Sequence, residues 1–442
     1  MTGLLIREGW RSFWFEPSRP FNLALCRVLF FSAFFLYYLP QDFSAWGDVS
    51  KAFWSPIWIF DLLALPILPG YWLLILQRVW KLALLASCFG LLTRPATVIS
   101  FLLGFYLIGL PHSFGKVHHS DTIIVLALAI FALSRCGDAV SLDGVIRAAR
   151  TSVAAADRRR SGEYTWPIRL VWVLMSLIYL GAGVSKLSRS GLDWVFSDNL
   201  ALLLITHQYH ISNADPLTSW GLAVAQYPLL SRSAAAATVV LELLYPLGLF
   251  SVRARWILVP SGFVMQLAIR VLMGPAFEQY LICNLFWMPW DRLVHGVKRQ
   301  CMAREKLSVF FDGACGICQT TVAVIRRLDV LGKVAFYDVR NGWLRTERKF
   351  PSLRQDRCLT EIHVIAPGGH LFTSFYGYRA LARVLPVGWL LLPLLYIPGV
   401  PNLGTKIYQA VASYRHQSGC PLHAADAAPE SAAPTSPDRM AP

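Results

Sequence analysis

Long apolar stretches separated by short basic or polar loops fill residues 1–300. A helix needs about 20 apolar residues to cross a bilayer, so these stretches predict membrane spans, although several fall short of that length. We predict eight spans, at Asn22–Leu39, Tyr71–Leu92, Ala96–Leu110, Asp121–Leu133, Trp166–Leu187, Ala234–Phe250, Trp256–Leu272 and Phe277–Met288. The aromatic stretch from Phe53 to Pro66 is broken by prolines and is typical of an interfacial helix. Residues 1–300 are therefore predicted to form a polytopic α-helical membrane bundle of about eight helices.

The pattern changes after about Arg304, where short apolar strands alternate with an amphipathic helix. Val322, Ile325 and Leu328 recur at helical spacing on one face. Predicted strands flank this helix and follow it, at Leu307–Phe311, Val334–Val339, Glu361–Ile365 and His370–Ser374. This order predicts a second, α/β domain over residues 306–416. The Ala/Pro/Ser-rich residues 424–442 are predicted to be a disordered tail.

Composition and charge support a membrane protein. The chain has 442 residues, of which 55% are hydrophobic and only 15% charged, against about 25% charged in soluble domains. The net charge of +15 does not require nucleic acid as a partner, because cytoplasmic loops of membrane proteins collect Lys and Arg. Arg7, Arg11 and Arg19 precede the first span and place the N-terminus in the cytoplasm. With eight spans, we expect an integral protein of a bacterial inner membrane, with the bilayer as partner and both termini cytoplasmic.

The nine cysteines are scattered and include one close pair, Cys315 and Cys318. Their Cys-x-x-Cys spacing falls at a predicted strand-to-helix turn. Helix amides and the helix dipole stabilise a thiolate there, so we expect Cys315 to be the nucleophile. Cys318, one turn along and predicted to lie deeper, can resolve a mixed disulfide. Asp312 is a candidate proton acceptor for Cys318, and its alternative role is to cap the turn.

A zinc site is the alternative interpretation of this pair. It requires two further ligands, which Cys301, Cys358 or His363 would have to supply, and the sequence has no second Cys-x-x-Cys. We therefore predict no metal, and expect a thiol or disulfide partner instead.

The run from Phe311 to Cys318, FDGACGIC, resembles the signature of the DCC family. The resemblance continues through residues 376–381 and 408–415, and covers roughly Leu307 to His416. It implies a thioredoxin-like thiol–disulfide oxidoreductase domain with Asp312, Cys315 and Cys318 as its redox site.

A second group of candidates lies in the predicted membrane part. Lys186 ends the fifth span and His119 begins the fourth, so both are expected at the outer face. A lysine in a dry pocket can act as a base, and a nearby histidine can stabilise oxyanion charge. The alternative for Lys186 is a side chain that snorkels to the interface. Glu242 is costly in lipid, and Arg270 or Gln266 is its expected partner.

Residues 16–297 resemble the HTTM domain shared with vitamin K-dependent γ-carboxylase. The resemblance rests on His119-Ser120, on residues 141–144 with the sequence SLDG, and on the stretch from Tyr179 to Leu187. It implies that Lys186 is a base that deprotonates a reduced quinone and that His119 assists. The carboxylase's lumenal domain has no counterpart here, so carboxylation of peptide glutamates is not implied.

Three functions remain open at this point. The first is a membrane-tethered thiol–disulfide oxidoreductase, with a quinone or a lipid as the expected ligand if the bundle holds one. The second is a carboxylase-like membrane enzyme that uses Lys186 as its base. The third is a non-enzymatic transport or sensing protein whose redox domain gates the bundle. We favour the first, because its site is complete within one short motif.

Overall fold

The computed structural model describes residues 2–115, 120–151, 160–211, 219–274, 277–302 and 306–417. The chain divides into two compact units. One comprises residues 1–143 and 156–291, and the other comprises residues 144–155 and 292–442. The predicted disordered tail lies outside the described residues.

Helices make up most of the described residues of the N-terminal part. Its longer helices are α1 (Thr2–Phe15), α2 (Pro20–Tyr38), α4 (Gly70–Phe89), α5 (Thr93–His112), α6 (Ser120–Leu133), α7 (Leu142–Thr151), α8 (Trp166–Ser190), α10 (Asn199–Ile211), α12 (Pro228–Leu244), α14 (Val252–Met273) and α16 (Trp290–Met302). Its shorter helices are α3 (Trp58–Leu62), α9 (Asp193–Phe196), α11 (Ser219–Ala225), α13 (Leu247–Phe250) and α15 (Glu278–Cys283).

Among the residues that the structure describes, five helical segments are long and apolar enough to cross a membrane, against the eight spans predicted. They are Pro20–Tyr38, Gly70–Phe89, Thr93–His112, Gly162–Ser190 and Val252–Met273. Helix α6 is apolar but has 14 residues, about 21 Å of helix against a core of about 30 Å. The predicted sixth span is divided between α12 and α13. The predicted eighth contains a helix of only six residues, α15. An apolar window thus overestimates the number of continuous helices.

An aromatic cluster forms the core of this unit. Phe30 and Phe131 are fully buried, and the centres of their rings are 5.1 Å apart. The ring of Phe286 packs against both. Arg27 is buried beside them, and its guanidinium donates to the carbonyl oxygens of Cys136 and Val140. Backbone carbonyls thereby accept from both terminal nitrogens of a charge that would be costly in an apolar core, while Arg27 Nε is buried without a hydrogen-bond partner among the described residues.

The C-terminal unit is a mixed α/β domain. Its strands are β1 (Leu307–Phe311), β2 (Val334–Asp338), β3 (His363–Ile365) and β4 (Leu371–Thr373). They form one sheet in the order β2-β1-β3-β4, in which β1 is parallel to β2 and the other two pairings are antiparallel. The helices are α17 (Gly316–Leu328), α18 (Trp343–Lys349), α19 (Gln355–Thr360), α20 (Ser374–Val384), α21 (Leu392–Leu395) and α22 (Val400–Gln417).

The predicted secondary structure of this domain is confirmed. All four strands appear within one or two residues of the predicted positions. Val322 and Ile325 are buried on the inner face of α17, as their spacing predicts. The parallel β1–α17–β2 unit brings the carboxyl ends of β1 and β2 together, with Phe311 opposite Asp338.

Candidate redox site

Cys315 is the N-cap residue of α17, four residues beyond the end of β1. Its N–H donates to the carbonyl oxygen of Asp312 at 3.2 Å, which closes the turn, and its own carbonyl accepts from Gln319 N at 2.9 Å. This is the predicted placement at a strand-to-helix turn. Cys315 therefore stands at the end of the helix where the amides of the first turn are free and the helix dipole is positive.

Cys318 lies one helical turn further along and lines a cleft. Ile317 and Thr321 lie on the same side of this cleft, and Tyr378 from α20 and Tyr408 from α22 contribute to it as well. The Tyr408 hydroxyl accepts a hydrogen bond of 2.7 Å from Ile362 N, which fixes the segment that leads into β3. The cleft therefore joins the Cys-x-x-Cys helix to both later segments that carry the DCC resemblance.

The relative depth of the two thiols differs from our expectation. Cys315 is only 1% exposed, whereas Cys318 is half-buried. We expected Cys318 to be the deeper thiol, because it follows the first turn of the helix. Cys315 is instead buried at the turn that follows the central strand β1, whereas Cys318 lines the cleft.

Asp312 is buried and held by three hydrogen bonds. Its Oδ1 accepts from Arg340 Nε at 2.5 Å and from Ala314 N at 3.0 Å, and its Oδ2 accepts from Arg340 Nη2 at 3.1 Å. The side chain of Asp312 is 3% exposed and that of Arg340 is 6% exposed. The bond to Ala314 is the turn-capping contact, while the proton-acceptor role of Asp312 stays a prediction.

Asp338 completes the support of the turn from the neighbouring strand. Its Oδ1 accepts from Gly313 N at 3.1 Å and from Arg340 N at 2.9 Å. A Cβ at Gly313 would lie 2.1 Å from Asp338 Oδ2, so only glycine fits this approach. Sequence reasoning missed both Asp338 and Arg340. The available signal was a pair of charged residues at the end of the predicted strand that follows the helix of the Cys-x-x-Cys pair.

Cys358, in α19, contributes to the same cleft and is 2% exposed. Burial raises the pKa of its thiol to about 12, and the nearby acidic groups of Asp356 and Glu361 add to this increase. Within the described ranges, the structure shows no group of three or more His, Cys, Asp or Glu that could hold a metal. The Cys301 side chain, one of the candidate ligands, lies outside the described residues, so the zinc alternative is not tested.

We expect Cys358 to resist iodoacetamide in the folded protein between pH 5 and 9. With a pKa of about 12, about 0.1% of the thiol is ionised at pH 9, and only the thiolate reacts. Mass spectrometry of the alkylated full chain measures this, with urea-unfolded protein as the control in which Cys358 reacts fully. Modification of Cys358 as fast as Cys318 would contradict the burial that raises its pKa.

Lys186 of the N-terminal unit is paired with Glu242. Its Nζ lies 2.6 and 2.8 Å from the two carboxylate oxygens, and 5.3 Å from the centre of the Trp194 ring. Glu242 was expected to pair with Arg270 or Gln266. Gln266 instead donates to the Tyr179 hydroxyl, and Arg270 donates to the Gly274 carbonyl. His119 lies outside the described residues, so its predicted proximity to Lys186 stays a prediction.

The comparisons with known proteins identify one of the two predicted domains. Residues 309–421 match the DCC1-like thiol-disulfide oxidoreductase family. The C-terminal part of the chain is therefore a DCC1-like thiol-disulfide oxidoreductase domain that carries the Cys315–Cys318 pair. An HTTM domain is not identified in the N-terminal part, where several of the described helices are apolar. No curated protein and no solved structure shows significant similarity to the chain.

Proposed function

We propose that the chain is a membrane-tethered thiol–disulfide oxidoreductase that exchanges electrons with a partner through Cys315 and Cys318. One observation carries the proposal. Cys315 caps the N-terminus of α17 and Cys318 lies one turn on, beside a cleft. Helix amides lower the cost of a thiolate at the first position, and the spacing lets the second thiol reach back.

The exchange proceeds in two balanced steps. The Cys315 thiolate attacks a disulfide of the partner, which forms a mixed disulfide and releases one partner sulfur as a thiolate. The Cys318 thiol then loses its proton to solvent or to the released thiolate and attacks the Cys315 sulfur. This closes the Cys315–Cys318 disulfide and releases the second partner thiolate. The partner gains two electrons and the pair loses two.

The domain is proposed to be thioredoxin-like. A parallel β1–α17–β2 unit carries Cys-x-x-Cys at its first turn, and an antiparallel β3–β4 hairpin and α20 follow it. This motif beside a βαβ unit is typical of thioredoxin-like redox domains. The tether is proposed to be the helical N-terminal part, because five of its segments have the length and composition of membrane spans.

Attachment to the cytoplasmic face remains part of the proposal. Both termini lie on the same side of the membrane only if the number of spans is even. The five long segments become six spans if the short apolar helix α6 also crosses the bilayer. The cytoplasm keeps thiols reduced, which suits a catalytic pair that acts as a reductant. A membrane quinone is the proposed ligand of the bundle. When the Cys315–Cys318 disulfide oxidises a partner dithiol and is itself reduced, this quinone would reoxidise the pair and become a quinol.

Replacement of Cys318 by serine is expected to trap mixed disulfides, because the resolving thiol is lost while Cys315 still attacks. Cys315→Ser is expected to trap far fewer, although its remaining thiol is the more exposed one. Both variants of the full chain, in membranes, are treated with an oxidised dithiol peptide and analysed by non-reducing electrophoresis and mass spectrometry. Cys358→Ser is the matched control and should behave as the parent protein. If Cys315→Ser traps more than Cys318→Ser, the nucleophile is Cys318, and trapping by neither variant contradicts the proposed function.

A further inference from the structure

Between α20 and α22, the C-terminal domain presents an uncharged apolar surface. Residues 389–399, with the sequence WLLLPLLYIPG, connect these helices through α21, and we refer to them as the apolar segment. Its large apolar side chains are exposed, from Trp389, Leu390 and Leu391 to Leu394 and Ile397. The most exposed of these side chains is Leu390, at 75%. Contiguous exposed apolar surface on a soluble domain is a site of association rather than a neutral feature.

The apolar segment has a fixed shape. The Trp389 indole N–H donates to the Arg383 carbonyl oxygen at 2.9 Å, and Arg383 Nε donates to the Tyr396 hydroxyl at 2.7 Å. The preceding turn is tight, since a Cβ at Gly388 would lie 2.5 Å from the Ala382 carbonyl oxygen. Hydrogen bonds therefore satisfy the polar atoms of both aromatic side chains, while their neighbours Leu390, Leu391 and Leu394 face outward.

Positive charge borders the apolar segment on both sides. Arg379 and Arg383 precede it, with the Arg379 guanidinium 4.6 Å from the centre of the Tyr396 ring, and Lys406 follows it. The sequence contains no Asp or Glu between Glu361 and Asp426. Leucines with a tryptophan and a tyrosine, bordered by Arg and Lys, form the composition of a surface that lies in a membrane interface.

We propose that the apolar segment inserts into the headgroup region of a bilayer that contains anionic lipid. The same chain carries candidate membrane spans, so a bilayer is held at high local concentration near this domain. Anionic headgroups complement Arg379, Arg383 and Lys406. With eleven residues, the segment is far too short to span the bilayer, so it lies at the surface. A second copy, the N-terminal unit and residues 418–442 are the competing occupants.

The test places a photoreactive residue on the surface of the full chain. Leu390→p-benzoylphenylalanine and the control Leu344→p-benzoylphenylalanine are reconstituted in nanodiscs of phosphatidylcholine with phosphatidylglycerol and then irradiated. Leu344 is a matched control, because it is 73% exposed and lies in the charged helix α18. We expect about tenfold more lipid adduct at position 390 than at position 344, and less adduct at 390 in phosphatidylcholine alone.

Each other result overturns the inference. Adducts of position 390 with peptides of this chain would assign the surface to a protein contact, either within the molecule or between copies, which isotope-mixed protein distinguishes. Equal lipid adduct at both positions would show non-selective labelling. Adduct that does not depend on phosphatidylglycerol would remove the role of the basic residues. Because none of these readouts depends on Cys315 or Cys318, the inference and the proposed redox function fail independently.

Discussion

Arg340→Met is expected to destabilise the C-terminal domain by about 3–5 kcal/mol. The substitution keeps most of the side-chain volume but removes the guanidinium that binds both oxygens of Asp312. Asp312 is 2% exposed, so its carboxylate would remain buried with its charge uncompensated, although it would keep the hydrogen bond from Ala314 N. Breaking one side of a buried ion pair is costly, because the remaining charge is neither solvated nor compensated.

Hydrogen exchange of the full chain, followed by mass spectrometry, measures this loss in peptides that contain β1 and β2. The matched control is Arg354→Met, which breaks the 2.9 Å ion pair of Arg354 with Asp356. Both of those side chains are more than 60% exposed, so no measurable change is expected. Asp312→Asn in the Arg340→Met background should recover much of the stability, because the amide oxygen still accepts from Ala314 N without a charge. Equal effects of Arg340→Met and Arg354→Met would show that the buried pair is unimportant for the fold.

The sequence predicted the two thiols of the redox site but not their support. Cys-x-x-Cys after an apolar strand is a local pattern, and so is the turn-capping role of Asp312. Arg340, by contrast, is 28 residues from Asp312. The parallel pairing of β1 and β2 makes them neighbours, because it aligns Phe311 with Asp338. Both strands were predicted, so the end of β2 could have been searched for the partner of Asp312.

The relative exposure of Cys315 and Cys318 could not be predicted in this way. Spacing specifies that the thiols are one helical turn apart, but not which of them faces the cleft. Segments of α20 and α22 line that cleft, and they lie 60 or more residues further along the chain. Their position depends on tertiary packing, which the spacing of apolar residues along the sequence does not predict.

The helical part shows the same limit. Apolar windows identified the five long segments but merged helices that the chain interrupts, as at Pro246 between α12 and α13. Glu242 was identified as costly in lipid and Lys186 as a candidate base or snorkelling side chain, but as separate features. Their pairing depends on the contact between α8 and α12. Gly183, one turn before Lys186, allows this contact, since a Cβ there would lie 3.1 Å from Glu242 Cβ.

Lys186→Met is therefore expected to destabilise the helical unit by about 3 kcal/mol, because it leaves the Glu242 carboxylate buried without its ammonium partner. The double variant Lys186→Met/Glu242→Leu should recover most of that loss, since it removes both charges. Lys186→Arg should be milder than Lys186→Met, because the positive charge is kept. Unfolding of the full chain in detergent by a denaturing surfactant, followed by tryptophan fluorescence, measures all three variants.

The matched control is Arg232→Met, which removes the 3.1 Å ion pair with Asp198. The side chain of Arg232 is 45% exposed and that of Asp198 is 62% exposed. Solvent screens that pair, so little change is expected. The comparison also bears on the proposal that Lys186 is a base, which required a lysine in a dry pocket. In the structure this lysine has a carboxylate 2.6 Å away, and its role as a base stays a prediction. If Lys186→Met leaves the unfolding transition unchanged but abolishes a quinone-dependent activity, the ion pair is not structural and the catalytic role of Lys186 is supported instead.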